Sequence, residues 1–161
     1  MPPIMPDRVF HGTTFDFTGF DGRFLGNSVR NPTTEFGFYF SESREDAASW
    51  ALRALTRGTG GGSPRMIVAH LEIGRPIEVS EAKFRFYLQT ARTSTIQRDL
   101  RKWQAKGHDG LTTLRGGHRW WVAFDPTRIR ILASEPLQDW HVRASREQGE
   151  PAPPDPPAPT P

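Results

Sequence analysis

Cysteine is absent from the 161 residues, so neither a disulfide nor a cysteine-ligated metal site can form. Absent too is any apolar run long enough to cross a bilayer. Met1 to Asp7 hold neither the basic nor the apolar stretch of a secretory signal, which makes the cytoplasm the expected compartment. Delivery by a specialised secretion system or a phage would leave no such mark. Lysine is scarce: arginine heavily outnumbers it among the 21 basic residues, and the sequence pI is about 9.8 although the formal net charge is only +3. The planar fork of arginine grips phosphates, so a dinucleotide, a nucleic acid or an acidic protein would suit this balance. Plain solvation of the surface explains it as well. The five histidines, His11, His70, His108, His118 and His141, show no metal-ligand spacing, and no metal is expected.

What remains is enough for one domain with a core and too little for two of ordinary size. The apolar fraction of 35% becomes ordinary once the 15 glycines are added, so the low mean hydropathy reflects loops and tails. The expected organisation is a flexible lead-in over 1–7, a folded domain over 8–142 and a disordered Pro-rich tail over 143–161. Glu150 to Pro161 is almost entirely Pro, Ala and small or acidic residues. The glycine run from Gly58 to Pro64 predicts a flexible internal loop.

Between these landmarks, Arg8 to His11 and Phe36 to Ser41 predict strands. A helix follows from the capping pair Ser43 and Asp46 toward Arg57, with Ala47, Trp50, Ala51 and Ala54 at helical spacing. Arg65 to Ile73 and Pro76 to Val79 predict strands, and Ser80 to Thr90 and Ser94 to Lys106 helices, the second ended by Gly107. Strands over Leu111 to Leu114 and His118 to Phe124 flank a turn at Arg115-Gly116-Gly117, and a last strand covers Arg128 to Leu132. Strands and helices mix without a regular βαβ repeat, which predicts an α+β fold.

Two patches carry the chemistry: His11-Gly12-Thr13, and the aromatic run around Tyr39 leading into the helix that bears Trp50. Together they resemble the NAD-binding half of the ADP-ribosyltransferase superfamily, in its His-Tyr-Glu branch of diphtheria-toxin-like, poly-ADP-ribose-polymerase-like and small toxin or phage domains. The resemblance runs from about Val9 to Leu132. It implies split antiparallel β-sheets with flanking helices and NAD, as co-substrate, in the cleft between them. It also implies a glycosyltransferase-class activity, mono-ADP-ribosyl transfer to a macromolecular acceptor, protein or nucleic acid, by a toxin, effector or phage-type enzyme.

The resemblance assigns His11 to the ribose hydroxyls and the backbone of Gly12, where a missing Cβ permits close approach, to the nicotinamide carboxamide; Thr13 completes the motif. Tyr39 and Trp50, the latter where a Tyr is more usual, would hold the nicotinamide ring between them, and an indole suits a cationic pyridinium well. At the position of the family's glutamate this sequence has Trp120, which is expected to join the NAD-binding residues. His118 shares a strand face with Trp120 and Val122, and so could serve as hydrogen-bond partner or base in place of the missing acid. Glu35, Glu42 and Glu45 are further carboxylates that could supply it.

Plainer readings stand beside these. His11 can be a strand-end imidazole, and the aromatic run a packed strand and helix core. His118 can be a solvated hairpin residue, and the carboxylates complements to a helix dipole. Asp109 suits a turn, and Arg98, Arg101 and Lys102 an exposed helix face. Two other functions remain open: a domain that binds NAD or ADP-ribose without transfer, and a basic nucleic-acid-binding module. No membrane partner is implied, and neither acceptor identity nor oligomeric state is encoded.

Overall fold

The computed structural model describes residues 3–13, 32–56 and 64–137. Of the loop predicted over Gly58 to Pro64 only Pro64 is among them, and the predicted tail at 143–161 lies outside. Strands and helices intermix as α+β, in the order β1 (Val9–Thr13), β2 (Phe38–Ser41), α1 (Arg44–Thr56), β3 (Arg65–Leu71), β4 (Pro76–Glu78), α2 (Glu81–Thr90), α3 (Thr93–Ala105), β5 (Gly110–Arg115), β6 (His118–Ala123) and β7 (Ile129–Pro136).

Local chemistry explains most boundaries. The Ser43 hydroxyl accepts the Asp46 amide at 3.1 Å and opens α1, and Ser80 does the same for α2 through the Lys83 amide at 3.1 Å. The turn between β5 and β6 rests on Gly116 and Gly117, whose φ values of 56° and 83° fit the primed turn of a two-residue hairpin. Two boundaries differ from expectation. Pro32–Phe36 forms a 3-10 turn instead of starting β2 early, because Phe36 is drawn beneath the helices, 5.3 Å from both Tyr87 and Trp103 between ring centres. The last strand runs on to Pro136, since its pairing with β3 continues to Arg65↔Pro136.

The seven strands lie in the order β4-β5-β6-β2-β1-β3-β7, all neighbours antiparallel except β4 and β5. The expected split falls in the middle. Strands β1 and β2 share the single register pair Phe10↔Ser41, whereas β1 pairs with β3 from Val9↔Ala69 to Thr13↔Arg65. The sheet is therefore two halves, β4-β5-β6-β2 and β1-β3-β7, that meet at one rung.

The helices described lie on one face. Helix α1 covers Phe10, Met66 and Val68 of the second half, and α2 and α3 cover Leu111 and Val122 of the first. The opposite face buries Val9, Phe38, Phe40, Ile67, Leu71 and Trp121. Trp121 is fully buried there and donates its indole N–H to Glu42 at 2.8 Å, which meets the need of a buried indole for an acceptor.

Candidate active site

Beyond the Phe10↔Ser41 rung the strands part, and His11 fills the gap. Its Nδ1 lies 2.7 Å from the carbonyl oxygen of Tyr39, so the imidazole donates where the backbone ladder stops. Burial pushes the His11 pKa down from 6.5 to about 4, against the smaller opposing effect of that hydrogen bond. At neutral pH the ring is therefore uncharged, with its proton on Nδ1 and Nε2 as the acceptor nitrogen.

Four aromatic rings follow one another across the split. His11 is 5.9 Å from Trp50 on α1, Trp50 is 5.3 Å from Trp120 on β6, and Trp120 is 6.0 Å from Tyr39 on β2, each pair edge to face. Phe84 of α2 closes the row, 6.0 Å from Trp120 and 6.3 Å from Tyr39. The Tyr39 hydroxyl donates to the Thr33 carbonyl at 2.5 Å, which fixes the ring, and burial raises its pKa further above the ordinary tyrosine value. The residues expected to hold NAD, His11 and Gly12 on β1, Tyr39 on β2 and Trp50 on α1, are thus brought together. Tyr39 and Trp50 are joined through Trp120, which meets both rings edge to face.

Gly12 has a packing reason of its own. A Cβ there would lie 1.9 Å from the Ala47 carbonyl oxygen and 3.2 Å from the Ala51 nitrogen, so only glycine lets α1 lie this close to β1. That approach is what carries Trp50 to His11. Thr13 is buried at the end of β1, opposite Arg65. His118 stands apart from the rings: it is the first residue of β6, half-buried, paired across the hairpin with Arg115. It shares a face with Trp120, but no hydrogen bond or ring contact joins it to the cluster among the described residues. Of the candidate carboxylates, Glu42 is engaged by Trp121, Glu45 is exposed on α1, and Glu35 belongs to the 3-10 turn before β2.

Three residues at the site escaped the sequence reading. The Trp120 indole N–H donates to the Asp46 carboxylate at 2.6 Å. The Arg115 guanidinium stands 5.8 Å over the Trp120 ring. Beside Trp120 on β5, Thr113 is fully buried, and its hydroxyl has no hydrogen-bond partner among the described residues. Only Asp46 carried a usable signal. It precedes Trp50 by four residues on α1, a spacing that puts both on one helix face.

The sequence matches the model of the family described as ADP-ribosyltransferase in polyvalent proteins over residues 5–135. The chain belongs to this family. ADP-ribosyltransferase domains use NAD as co-substrate, and the site fits it in two respects: a neutral imidazole with an acceptor nitrogen suits a ribose hydroxyl, and aromatic walls suit a pyridinium. No curated protein matches the sequence. Among solved structures, the fold is similar to that of a chain in the M. tuberculosis MbcT-MbcA toxin-antitoxin complex, with a TM-score of 0.55 and 10% identity over 84% of this chain and 87% of that one. At this identity the likeness is one of fold.

Proposed function

We propose that the protein moves the ADP-ribosyl group of NAD onto a macromolecular acceptor, as a mono-ADP-ribosyltransferase acting in the cytoplasm as a toxin, effector or phage-type enzyme. The observation that carries this reading is His11, held as a neutral ring between the sheet halves by the Tyr39 carbonyl and against Trp50, from which Trp120 and Tyr39 continue the row of rings. Membership of an ADP-ribosyltransferase family supports it independently. The rings would hold the nicotinamide and His11 the ribose, which would fix the scissile bond in one orientation. The acceptor is a protein or a nucleic acid. The similar fold found in a toxin-antitoxin complex lends weight to a protein partner.

Incubating the protein with NAD and measuring free nicotinamide, beside mass-spectrometric detection of ADP-ribose on added protein or RNA, tests the proposal. Nicotinamide release with labelling is expected. A second reading, NAD binding without transfer, is favoured by Trp120, whose bulk and lack of charge stand where the family has an acid. Binding by calorimetry with no release would select it. In either case Trp50→Ala should weaken NAD binding by roughly 1–2 kcal/mol, about five- to thirtyfold, because a desolvated cation-aromatic contact is removed. Unchanged affinity in a folded variant would take Trp50 out of the site.

A further inference from the structure

With Trp120 at the expected position of the glutamate, the site needs a carboxylate from elsewhere. Helix α1 brings one to the same place. Asp46 and Trp50 share a face of this helix, and Trp50 packs on Trp120, whose indole N–H reaches the Asp46 Oδ2 at 2.6 Å. The other oxygen of Asp46, Oδ1, accepts no hydrogen bond from any described residue, and the side chain is half-buried. A charged carboxylate commonly accepts several hydrogen bonds, so one left with an unengaged oxygen beside the rings is equipped to meet a ligand.

We infer that Asp46 is the carboxylate of the transfer reaction, held in place by the indole of Trp120. This rests on the transferase reading above. When the bond between ribose C1′ and nicotinamide breaks, its electron pair leaves on neutral nicotinamide, and positive charge builds on the ribose. The Asp46 anion stabilises that charge. The acceptor heteroatom then bonds C1′ and gives its proton to Asp46 Oδ1, which passes it to water. Trp120 thus replaces the acid of the family by aiming one from another element, as a positioning residue.

The test compares wild type, Asp46→Asn, Asp46→Glu, Trp120→Phe and His118→Ala for nicotinamide release from saturating NAD, for NAD affinity by calorimetry, and for thermal midpoint. Asp46→Asn keeps an oxygen for the indole but cannot take a proton, so release should fall about a hundredfold or more while affinity changes less than severalfold. Asp46→Glu should restore part of the rate. Trp120→Phe keeps a ring and loses only the N–H, and should lower kcat with little change in KM. Equal rates in Asp46→Asn and wild type would overturn the assignment and leave the transferase reading standing. A loss confined to His118→Ala would hand the role to that histidine. Wild type that binds NAD and releases no nicotinamide would overturn both. Should Asp46→Asn fail to fold, an unchanged kcat in Trp120→Phe would overturn the assignment by itself.

Discussion

Gly12→Ala is expected to cost the domain much of its stability. The alanine Cβ would stand 1.9 Å from the Ala47 carbonyl oxygen and 2.8 Å from its carbon, distances at which one partner must move. Neither can yield cheaply. The obstructing atoms are helix backbone, and shifting them lifts all of α1, with Ala47, Ala48 and Ala51, off Phe10, Met66 and Val68. Overpacking by a single methyl costs roughly 1–3 kcal/mol where side chains can adjust, so a rigid backbone clash belongs at or above the top of that range. For a chain of this size about 3 kcal/mol lowers the thermal midpoint by roughly 10 °C. Calorimetric melting of the purified variant checks this. A midpoint within a degree or two of wild type would show that α1 does not need so close an approach. The same displacement would part Trp50 from His11, so any soluble variant should also lose NAD affinity.

Acid should loosen the joint between the sheet halves, and His11 should be the cause. The folded ring has a pKa of about 4 against 6.5 when unfolded, so between these values the unfolded chain binds more protons. Stability therefore rises with pH across this window and is lost as pH falls from 6.5 toward 4. At 1.4 kcal/mol per unit, the loss reaches about 3 kcal/mol near pH 4. His11→Asn is the informative comparison, because its amide nitrogen can take the place of Nδ1 and still donate to the Tyr39 carbonyl, yet it does not titrate. Urea denaturation at pH 7 and at pH 4 should show wild type losing about 3 kcal/mol more than the variant. Equal losses would place the acid sensitivity elsewhere.

The parts of the fold legible in the sequence are those written locally. Ser43 and Ser80 announce helix starts, Gly107 a helix end, and Gly116-Gly117 a hairpin, because each choice is forced by backbone geometry within a few residues. The parallel pairing of β4 with β5 had no such signal, since it depends on α2 and α3 carrying the chain back across the sheet. Phe36 read as strand because its aromatic neighbours do; burial against Tyr87 and Trp103 decided otherwise. At the site, His11, Tyr39 and Trp50 could be named because a family pattern spaces them. The bond between Trp120 and Asp46 joins residues 74 positions apart, and nothing in either neighbourhood foretells it.

The split sheet also bears on how a ligand and the fold speak to each other. Across the middle of the molecule, one backbone rung and one imidazole replace a ladder, so the two halves form a seam rather than a continuous surface. The fastener of that seam is the side chain assigned to the ribose. A ligand that bonds His11 in its seated orientation favours the closed seam, and by reciprocity a closed seam favours the ligand. Occupancy then adds RT ln(1 + [L]/Kd) to the stability of the joint, a gain that above Kd rises by about 1.4 kcal/mol for each tenfold increase in ligand.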